Sequence, residues 1–410
     1  MRLVPGLLRG PFRGLPRQVV VLTAVSFTVA LGYGIVAPAI PAFARQFGVS
    51  TAAAAGVVSA FALMRVLGAL PAGRLVDRFG EHSVMAAGIS VVAVSSILAG
   101  FSHSFVQLIV LRGVGGLGSA MFSVSSMTLL LGSVPAEQRG RASGLFTGGF
   151  LVGGISGPAV GGLVAAWSLR APFIIYGGLL VVPAVIAAFG LRDAARRKDP
   201  GPGPRPARPF AGLATALRSS AFRAAASANL ADGFAVVGLR SAIVPLFVRY
   251  SLHRSAVWTG IGFLVFAALN AAMLLPGGWV ADVFGRRPVI VTGCLVSAAG
   301  LVLLAFLPGL GGFLVALAVT GLGSGLLDVA PSAMIGDIMP ERGGSLVAAY
   351  QMAGDTGSVT GPVAAGFLVD TYSYAAAFGL GAVALALAGL LGLFAPETRQ
   401  RALTPAESPA

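Results

Sequence analysis

Long apolar segments dominate the sequence, and they restrict the fold more than any other feature. A helix needs about 20 apolar residues to cross a bilayer. Segments of about that length lie near 18–43, 53–74, 83–101, 105–131, 142–166, 170–191, 222–248, 257–278, 288–307, 311–334, 345–369 and 373–394. Only 10% of the 410 residues are charged, against roughly 25% in a soluble domain. We therefore predict an all-α membrane protein with twelve transmembrane helices in a lipid bilayer.

The basic residues give these spans a direction. Cytoplasmic loops carry an excess of arginine and lysine. With the N-terminus in the cytoplasm, the basic residues that fall in outside loops are only Arg45, Arg170, Arg249 and Arg254. This asymmetry explains the net charge of +14 without a nucleic-acid partner. We expect a multi-pass protein of the cell membrane whose N- and C-termini are cytoplasmic.

A polar segment divides the spans into two groups of six. Its sequence, RDAARRKDPGPGPRPARP from Arg192, has the composition of a flexible linker. The predicted organisation is a cytoplasmic tail at 1–17, a six-helix bundle at 18–191, a cytoplasmic linker at 192–221, a second six-helix bundle at 222–394 and a cytoplasmic tail at 395–410.

The two groups of spans repeat one another along the chain. The sequence GLGS at 116–119 recurs 205 residues later at 321–324, and the dipeptide GP at 157–158 recurs 204 residues later at 361–362. Because six is an even number, both groups enter the membrane in the same sense. We therefore predict two bundles related by a pseudo-twofold axis along the membrane normal. Two such bundles around a central cavity have the geometry of a carrier.

Patterns for catalysis are missing from the sequence. The only lysine, Lys198, does not follow a glycine as it would in a phosphate-binding loop. The histidines His82, His103 and His253 lie far apart, and Cys294 is the only cysteine. We expect no enzymatic activity, no cofactor and no metal site.

Two copies of a loop motif carry the first resemblance to a known family. GRLVDRFGEH at 73–82 and GWVADVFGRR at 278–287 resemble the motif that joins spans two and three of the major facilitator superfamily. The resemblance implies roles in turn formation and gating for Gly73, Asp77, Arg78, Gly80, Gly278, Asp282, Gly285 and Arg286. Glu81 and His82 replace the usual basic pair in the first copy, so we expect a weaker charge latch there.

Spans four and five extend the resemblance to the antiporter branch of this superfamily, which includes drug/proton exporters. RGVGGLGSA from Arg112 is similar to the arginine motif associated with proton coupling. Span five matches the antiporter motif at Gly144, Gly153, Gly157, Pro158, Gly161 and Gly162. The glycines predict close approach of another helix, although ordinary glycine packing is the alternative. The resemblance implies alternating access by a monomer.

Ionisable residues inside the spans are the candidate coupling groups, because such residues are costly in a membrane. We predict that Asp232, and after it Asp355, carries a proton, with Arg112 or Arg65 as the counter-charge from the opposite bundle. A permanent structural ion pair is the alternative, and for Asp328 we expect a structural role. The expected charge partners inside the membrane are Arg65, Arg240 and Asn270.

Aromatic and polar residues within the spans are candidates for a ligand pocket. They are Phe27, Tyr33, Met64, Phe234, Tyr350 and Gln351. The predicted function is proton-coupled export of small amphipathic compounds, such as drugs or natural products. Its partners would be that small-molecule substrate, protons and the bilayer. A proton-coupled metabolite importer, or a non-transporting sensor or scaffold, remains an alternative.

Overall fold

A computed structural model describes residues 15–135, 138–190, 218–307, 309–338 and 344–398. Along these ranges the chain forms twelve long helices: α1 Arg17–Arg45, α2 Thr51–Phe79, α3 Glu81–Gly100, α4 Phe105–Gly132, α5 Arg139–Trp167, α6 Ala171–Val185, α7 Ser220–Ser251, α8 Ala256–Phe284, α9 Arg286–Phe306, α10 Gly309–Ile338, α11 Gly344–Thr371 and α12 Tyr374–Leu393. Eleven of them are long and apolar enough to cross a membrane. The twelfth, α11, is as long but more polar, since it contains Gln351, Asp355 and Thr356.

Several helices continue past the predicted ends of their spans. The second span was expected to end near 74, yet α2 continues to Phe79, and α8 likewise continues to Phe284. Each helix ends at a glycine with positive φ, Gly80 at 80° and Gly285 at 110°, a conformation that other residues adopt only with strain. Most of each loop motif is therefore helical, and the interpretation of its first residues as a loop is wrong.

The predicted tails and linker lie almost entirely outside the described residues. Where the second bundle begins, Ser219 caps α7, because its hydroxyl accepts a hydrogen bond from the Phe222 amide at 3.4 Å. The helix starts at Ser220, two residues before the predicted boundary.

Helices α1–α6 and α7–α12 form two bundles that pack in the same way. In the first bundle, α5 packs backbone to backbone on α1, so that a Cβ on Gly157 would lie 2.7 Å from the Gly34 Cα. In the second, α11 packs on α7, and a Cβ on Gly361 would lie 2.9 Å from the Phe234 carbonyl carbon. The glycines repeated at an offset of 204 thus serve equivalent helix pairs, as the pseudo-twofold repeat predicts.

The bundles touch each other at one end. We call the end where α1 begins and α12 finishes the tail face. At the opposite face α5 meets α8 and α2 meets α11: a Cβ on Gly162 would lie 2.8 Å from the Gly260 Cα, and one on Gly366 would lie 2.6 Å from the Ala52 Cα. Toward the tail face, a Cβ on Gly148 of α5 would meet no atom within 4 Å. The close contacts between the bundles thus lie at the opposite face, which we call the closed face, and we call the space between the bundles on the tail side of these contacts the cleft.

Candidate functional site

An ion pair joins the two bundles part-way along the cleft. Arg65, near the middle of α2, places Nη2 2.6 Å from Oδ1 of Asp355 on α11. Among the three ion pairs of the described residues, this is the one that crosses between bundles. The two side chains keep 43% and 32% of their surface exposed, so the pair lies in the cleft. The geometry agrees with the expectation that Arg65 is the counter-charge of Asp355.

A buried carboxylate lies within the second bundle. The Ser324 hydroxyl of α10 donates a hydrogen bond of 3.1 Å to Oδ1 of Asp232 on α7. From Asp232 to Leu239 the helix widens to π-helical geometry, a distortion that is frequent at functional sites. Because Gly233 has no side chain, α7 packs directly against the Gly354 carbonyl of α11. The backbone hydrogen bonds of α7 are thus irregular at Asp232.

A second carboxylate of this bundle is exposed. The Asn270 amide of α8 donates a hydrogen bond of 2.7 Å to Oδ2 of Asp328 on α10. Asn270 is the repeat counterpart of Arg65 at an offset of 205, and its side chain is buried. Asp328 lies one turn beyond Ser324 and close enough to Asp232 for their charges to interact. The structural role expected for Asp328 from the sequence stays a prediction.

Two arginines, one in each bundle, lie over phenylalanines that are repeat counterparts. The Arg112 guanidinium lies 4.5 Å from the ring centroid of Phe61, and that of Arg240 lies 4.1 Å from the centroid of Phe266, the residue 205 positions later. Such cation–π contacts stabilise a guanidinium away from water. Neither arginine forms an ion pair among the described residues. Tyr33 is near enough to both to interact electrostatically.

Arg112 therefore does not act as the partner of a carboxylate in this conformation. It is buried within the first bundle, with 2% of its surface exposed, and its Nε has no hydrogen-bond partner in the described part of the chain. Among the described residues, the ion pairs and hydrogen bonds of Asp232 and Asp355 do not include Arg112.

The predicted pocket residues are dispersed along the two bundles. Gln351 is exposed and Tyr350 is buried, whereas Phe27, Tyr33, Met64 and Phe234 are half-buried. The Tyr33 and Phe61 rings lie 5.9 Å apart, and Met64 packs toward α4. The Tyr350 carbonyl accepts a hydrogen bond of 2.7 Å from the side-chain amide of Asn229.

The second loop motif is held by a charge cluster at the tail face. Arg286 pairs with Asp282 and, at 3.1 Å, with Asp337 of α10. Glu397, beyond α12, accepts hydrogen bonds from the amides of Arg286 at 2.8 Å and Arg287 at 3.1 Å. A carboxylate at a helix N-terminus is favourable, so Glu397 fixes the start of α9.

In the first loop motif, the ion pairs found among the described residues do not include Asp77 or Arg78. The Arg78 guanidinium lies over the Phe79 ring at 5.3 Å. A Cβ on Gly73 would meet no atom within 4 Å, and one on Gly278 would meet only Val329, at 3.7 Å. The weaker latch expected from the departures in this copy stays a prediction.

The antiporter motif packs in two directions. Gly153, Gly157 and Gly161 lie against the backbone of α1, and Pro158 contacts Gly34 there. Gly162 instead faces α8 of the other bundle. A Cβ on Gly144 would meet no atom within 4 Å, so this motif position is not used for close packing in this conformation.

One contact between the bundles was not anticipated from the sequence. Asp370, at the end of α11, accepts hydrogen bonds from the amides of Thr51 at 2.8 Å and Ala52 at 2.7 Å, at the N-terminus of α2. In the sequence, the local feature that points to this contact is the position of Asp370, four residues beyond Gly366. Both carboxylate oxygens thus connect one bundle to the other at the closed face.

Comparison with known proteins gives a consistent result. Residues 22–239 and 225–410 match the family model of the Major Facilitator Superfamily. The chain is 25% identical over 383 residues to the quinolone resistance protein NorA of Staphylococcus aureus, covering 92% of this chain and 95% of that protein. It is 23% identical over 386 residues to an uncharacterised MFS-type transporter of Methanocaldococcus jannaschii, covering 92% and 97%.

Solved structures show the same architecture. A bacterial homologue of the human lysosomal transporter Spinster, inward-facing and unoccupied, superposes with a TM-score of 0.71 at 17% identity, covering 92% of this chain and 94% of that one. A POT family transporter in complex with 5-aminolevulinic acid gives a TM-score of 0.76 at 11% identity, covering 93% and 96%.

Proposed function

The chain belongs to the Major Facilitator Superfamily, and we propose that it exports small amphipathic compounds in exchange for protons. Two of its relatives bear the names quinolone resistance protein NorA and multidrug resistance protein 2, which favours export of foreign compounds. The antiporter motif supports the same direction, since Gly162 lies where the bundles meet. The tail face is then cytoplasmic, as the distribution of arginines indicates.

The observation that carries the proton coupling is the position of Asp232. It is buried, it accepts a hydrogen bond from the neutral hydroxyl of Ser324, and it neighbours the exposed Asp328. A carboxylate in such surroundings can exchange a proton with water through its exposed neighbour. Asp355 is the second candidate, but the Arg65 guanidinium already occupies one of its oxygens.

The transport cycle follows from the open and closed faces. A compound enters the cleft from the cytoplasm and displaces the proton of Asp232. The bundles then rock, so that the contacts of Gly162 with Gly260 and of Asp370 with Thr51 separate. The compound leaves to the outside, an external proton reloads Asp232, and the bundles return. The protein works as a monomer, and Arg112 and Arg240 supply fixed positive charge beside the cleft.

Purified protein in proteoliposomes tests this function. When the lumen of the vesicles is acidic, proteoliposomes should take up more of a fluorescent amphipathic cation, such as dansylcadaverine, than vesicles without protein. A protonophore should abolish this excess. Flux that is unaffected by the protonophore would contradict proton coupling. An absence of flux for a broad panel of compounds would favour the sensor or scaffold.

The orientation of membrane vesicles distinguishes a metabolite importer from an exporter. Everted membrane vesicles should accumulate an exported compound, whereas right-side-out vesicles should accumulate an imported one. Accumulation only in right-side-out vesicles would favour the importer.

A further inference from the structure

The ion pair of the cleft has two properties that a purely structural ion pair does not need. Arg65 and Asp355 belong to different bundles, and both remain substantially exposed although they touch. Exposed ion pairs stabilise a protein by only about 0–1 kcal/mol. The fold therefore gains little from this pair, while the cost of keeping two charges at this depth of a membrane is considerable.

The repeat shows that this pair is not required by the architecture. The counterpart of Arg65 in the second bundle is the neutral Asn270, which bonds Asp328 of its own bundle. At an offset of 204 or 205 the counterpart of Asp355 is Leu151 or Phe150. At the depth of Arg65 and Asp355 the seam between α2 and α11 thus carries one charge of each sign, whereas the counterpart positions of α5 and α8 carry none.

We infer that Arg65 and Asp355 form a subsite for zwitterionic ligands, which rests on the proposed export of amphipathic compounds. A ligand with an ammonium and a carboxylate within a few bonds of each other can insert between the two side chains, so that each protein charge exchanges one partner for another. A ligand with a single charge instead leaves one member of the pair without a partner, which costs binding energy. The apolar body of the ligand then extends toward the uncharged seam.

Asp328 is a further exposed carboxylate of the second bundle, and a negative charge there attracts cations in general. It biases the cleft toward cations over anions but does not distinguish a zwitterion from a cation by itself. The test of the subsite is therefore how the preference among zwitterion, cation and anion changes when Arg65 or Asp355 is neutralised.

Four dansyl compounds with the same fluorophore test the inference by equilibrium binding to the purified full chain. They are Nε-dansyl-lysine as zwitterion, dansylcadaverine as cation, dansyl-aminohexanoate as anion and N-pentyl dansylamide as neutral compound. We expect the zwitterion to bind about tenfold more tightly than the cation, since each charged contact contributes at least that factor. Equal affinity for the four probes, or binding of none of them, would overturn the inference.

The single variants should shift the preference in opposite directions. Arg65→Gln leaves the carboxylate alone, so the cation should become the best probe. Asp355→Asn leaves the guanidinium alone, so the anion should gain relative to the cation. The exchange Arg65→Asp with Asp355→Arg restores a pair and should restore the preference for the zwitterion. Arg254→Gln, an exposed change near the closed face, serves as the control and should change nothing.

These results separate the inference from the proposed function. Binding preferences that follow the charges, without any gradient-driven flux, would support the subsite and contradict export. Proton-driven flux combined with equal shifts of all four affinities in both single variants would support export and contradict the subsite. Each variant is compared only if its size-exclusion profile matches that of the unaltered protein.

Discussion

Gly162 and Gly260 place the backbones of α5 and α8 in direct contact at the closed face, so that a Cβ on Gly162 would lie 2.8 Å from the Gly260 Cα. The neighbouring atoms are backbone and cannot rotate away. This contact belongs to the one conformation in which the opposite face is closed. A motif that the sequence relates to antiport is thus part of the seal between the bundles.

The first prediction concerns this seal. Gly162→Ala should push α8 away and reduce gradient-driven flux by about tenfold, because each 1.4 kcal/mol lost by the closed state changes its population by that factor. Proteoliposome flux of dansylcadaverine measures the effect. Gly144→Ala is the matched control in the same motif, since its Cβ would meet no atom within 4 Å. Equal flux from both variants would show that the contact does not limit transport.

The second prediction concerns packing within the first bundle. Gly157→Ala should lower the stability of the protein by about 1–3 kcal/mol, because the added methyl meets the α1 backbone at Gly34. Gly154→Ala, one turn away in open space, should be neutral or stabilising by up to about 1 kcal/mol, since alanine is the better helix former. Thermal unfolding in detergent compares the two. A melting temperature that falls equally in both variants would contradict the packing argument.

Much of this architecture could be predicted from the sequence, because its causes are local or periodic. Span length and polarity place the twelve helices, and the repeated GLGS and GP sequences relate the bundles. Glycine spacing even anticipates that another helix lies close to Gly157. These features depend on one helix or on one pair of neighbouring helices.

Contacts that depend on the rotation of long helices, or on the conformational state, could not be predicted in the same way. The sequence offered both Arg112 and Arg65 as counter-charges, and only the fold shows that Phe61 covers the first while the second reaches Asp355. Asp370 was overlooked because a carboxylate near a span end resembles an ordinary loop charge. Its role depends on the approach of α2 from the other bundle.

The third prediction concerns proton coupling. Asp232→Asn should abolish flux that is driven by a proton gradient, because an amide accepts the Ser324 hydrogen bond but does not release a proton. Binding of dansylcadaverine should persist, and so should its downhill exchange across the membrane. Ser324→Ala retains the carboxylate and removes one hydrogen bond, so coupled flux should be reduced rather than lost. The measurement is flux in the presence and absence of a protonophore.

A second substitution decides whether Asp232 or Asp355 carries the proton. Asp355→Asn should leave coupling intact while it alters ligand preference. Full proton-driven transport by both Asp232→Asn and Asp355→Asn would remove both residues from the coupling mechanism. Loss of coupling in Asp355→Asn alone would transfer the role to α11.

The fourth prediction concerns the connection made by Asp370. Asp370→Ala removes the acceptors of the Thr51 and Ala52 amides, each worth about 1 kcal/mol, and should therefore favour opening at this face by roughly thirtyfold. Asp370→Asn retains one acceptor oxygen and should have an intermediate effect. The neighbouring Thr371→Ala is the control, because the Thr371 hydroxyl bonds only the Phe367 carbonyl of its own helix.

Labelling of a reporter cysteine measures this opening. Ala256→Cys places a thiol beside Gly162 at the closed face, in a background where the natural, buried Cys294 is replaced by alanine. A membrane-impermeant maleimide added from this face should react faster in Asp370→Ala than in the parent, with Asp370→Asn between them. The order follows from the number of acceptor oxygens left for the two amides at the start of α2. Equal rates in Asp370→Ala and Thr371→Ala would show that the glycine contacts alone hold the bundles together at this face.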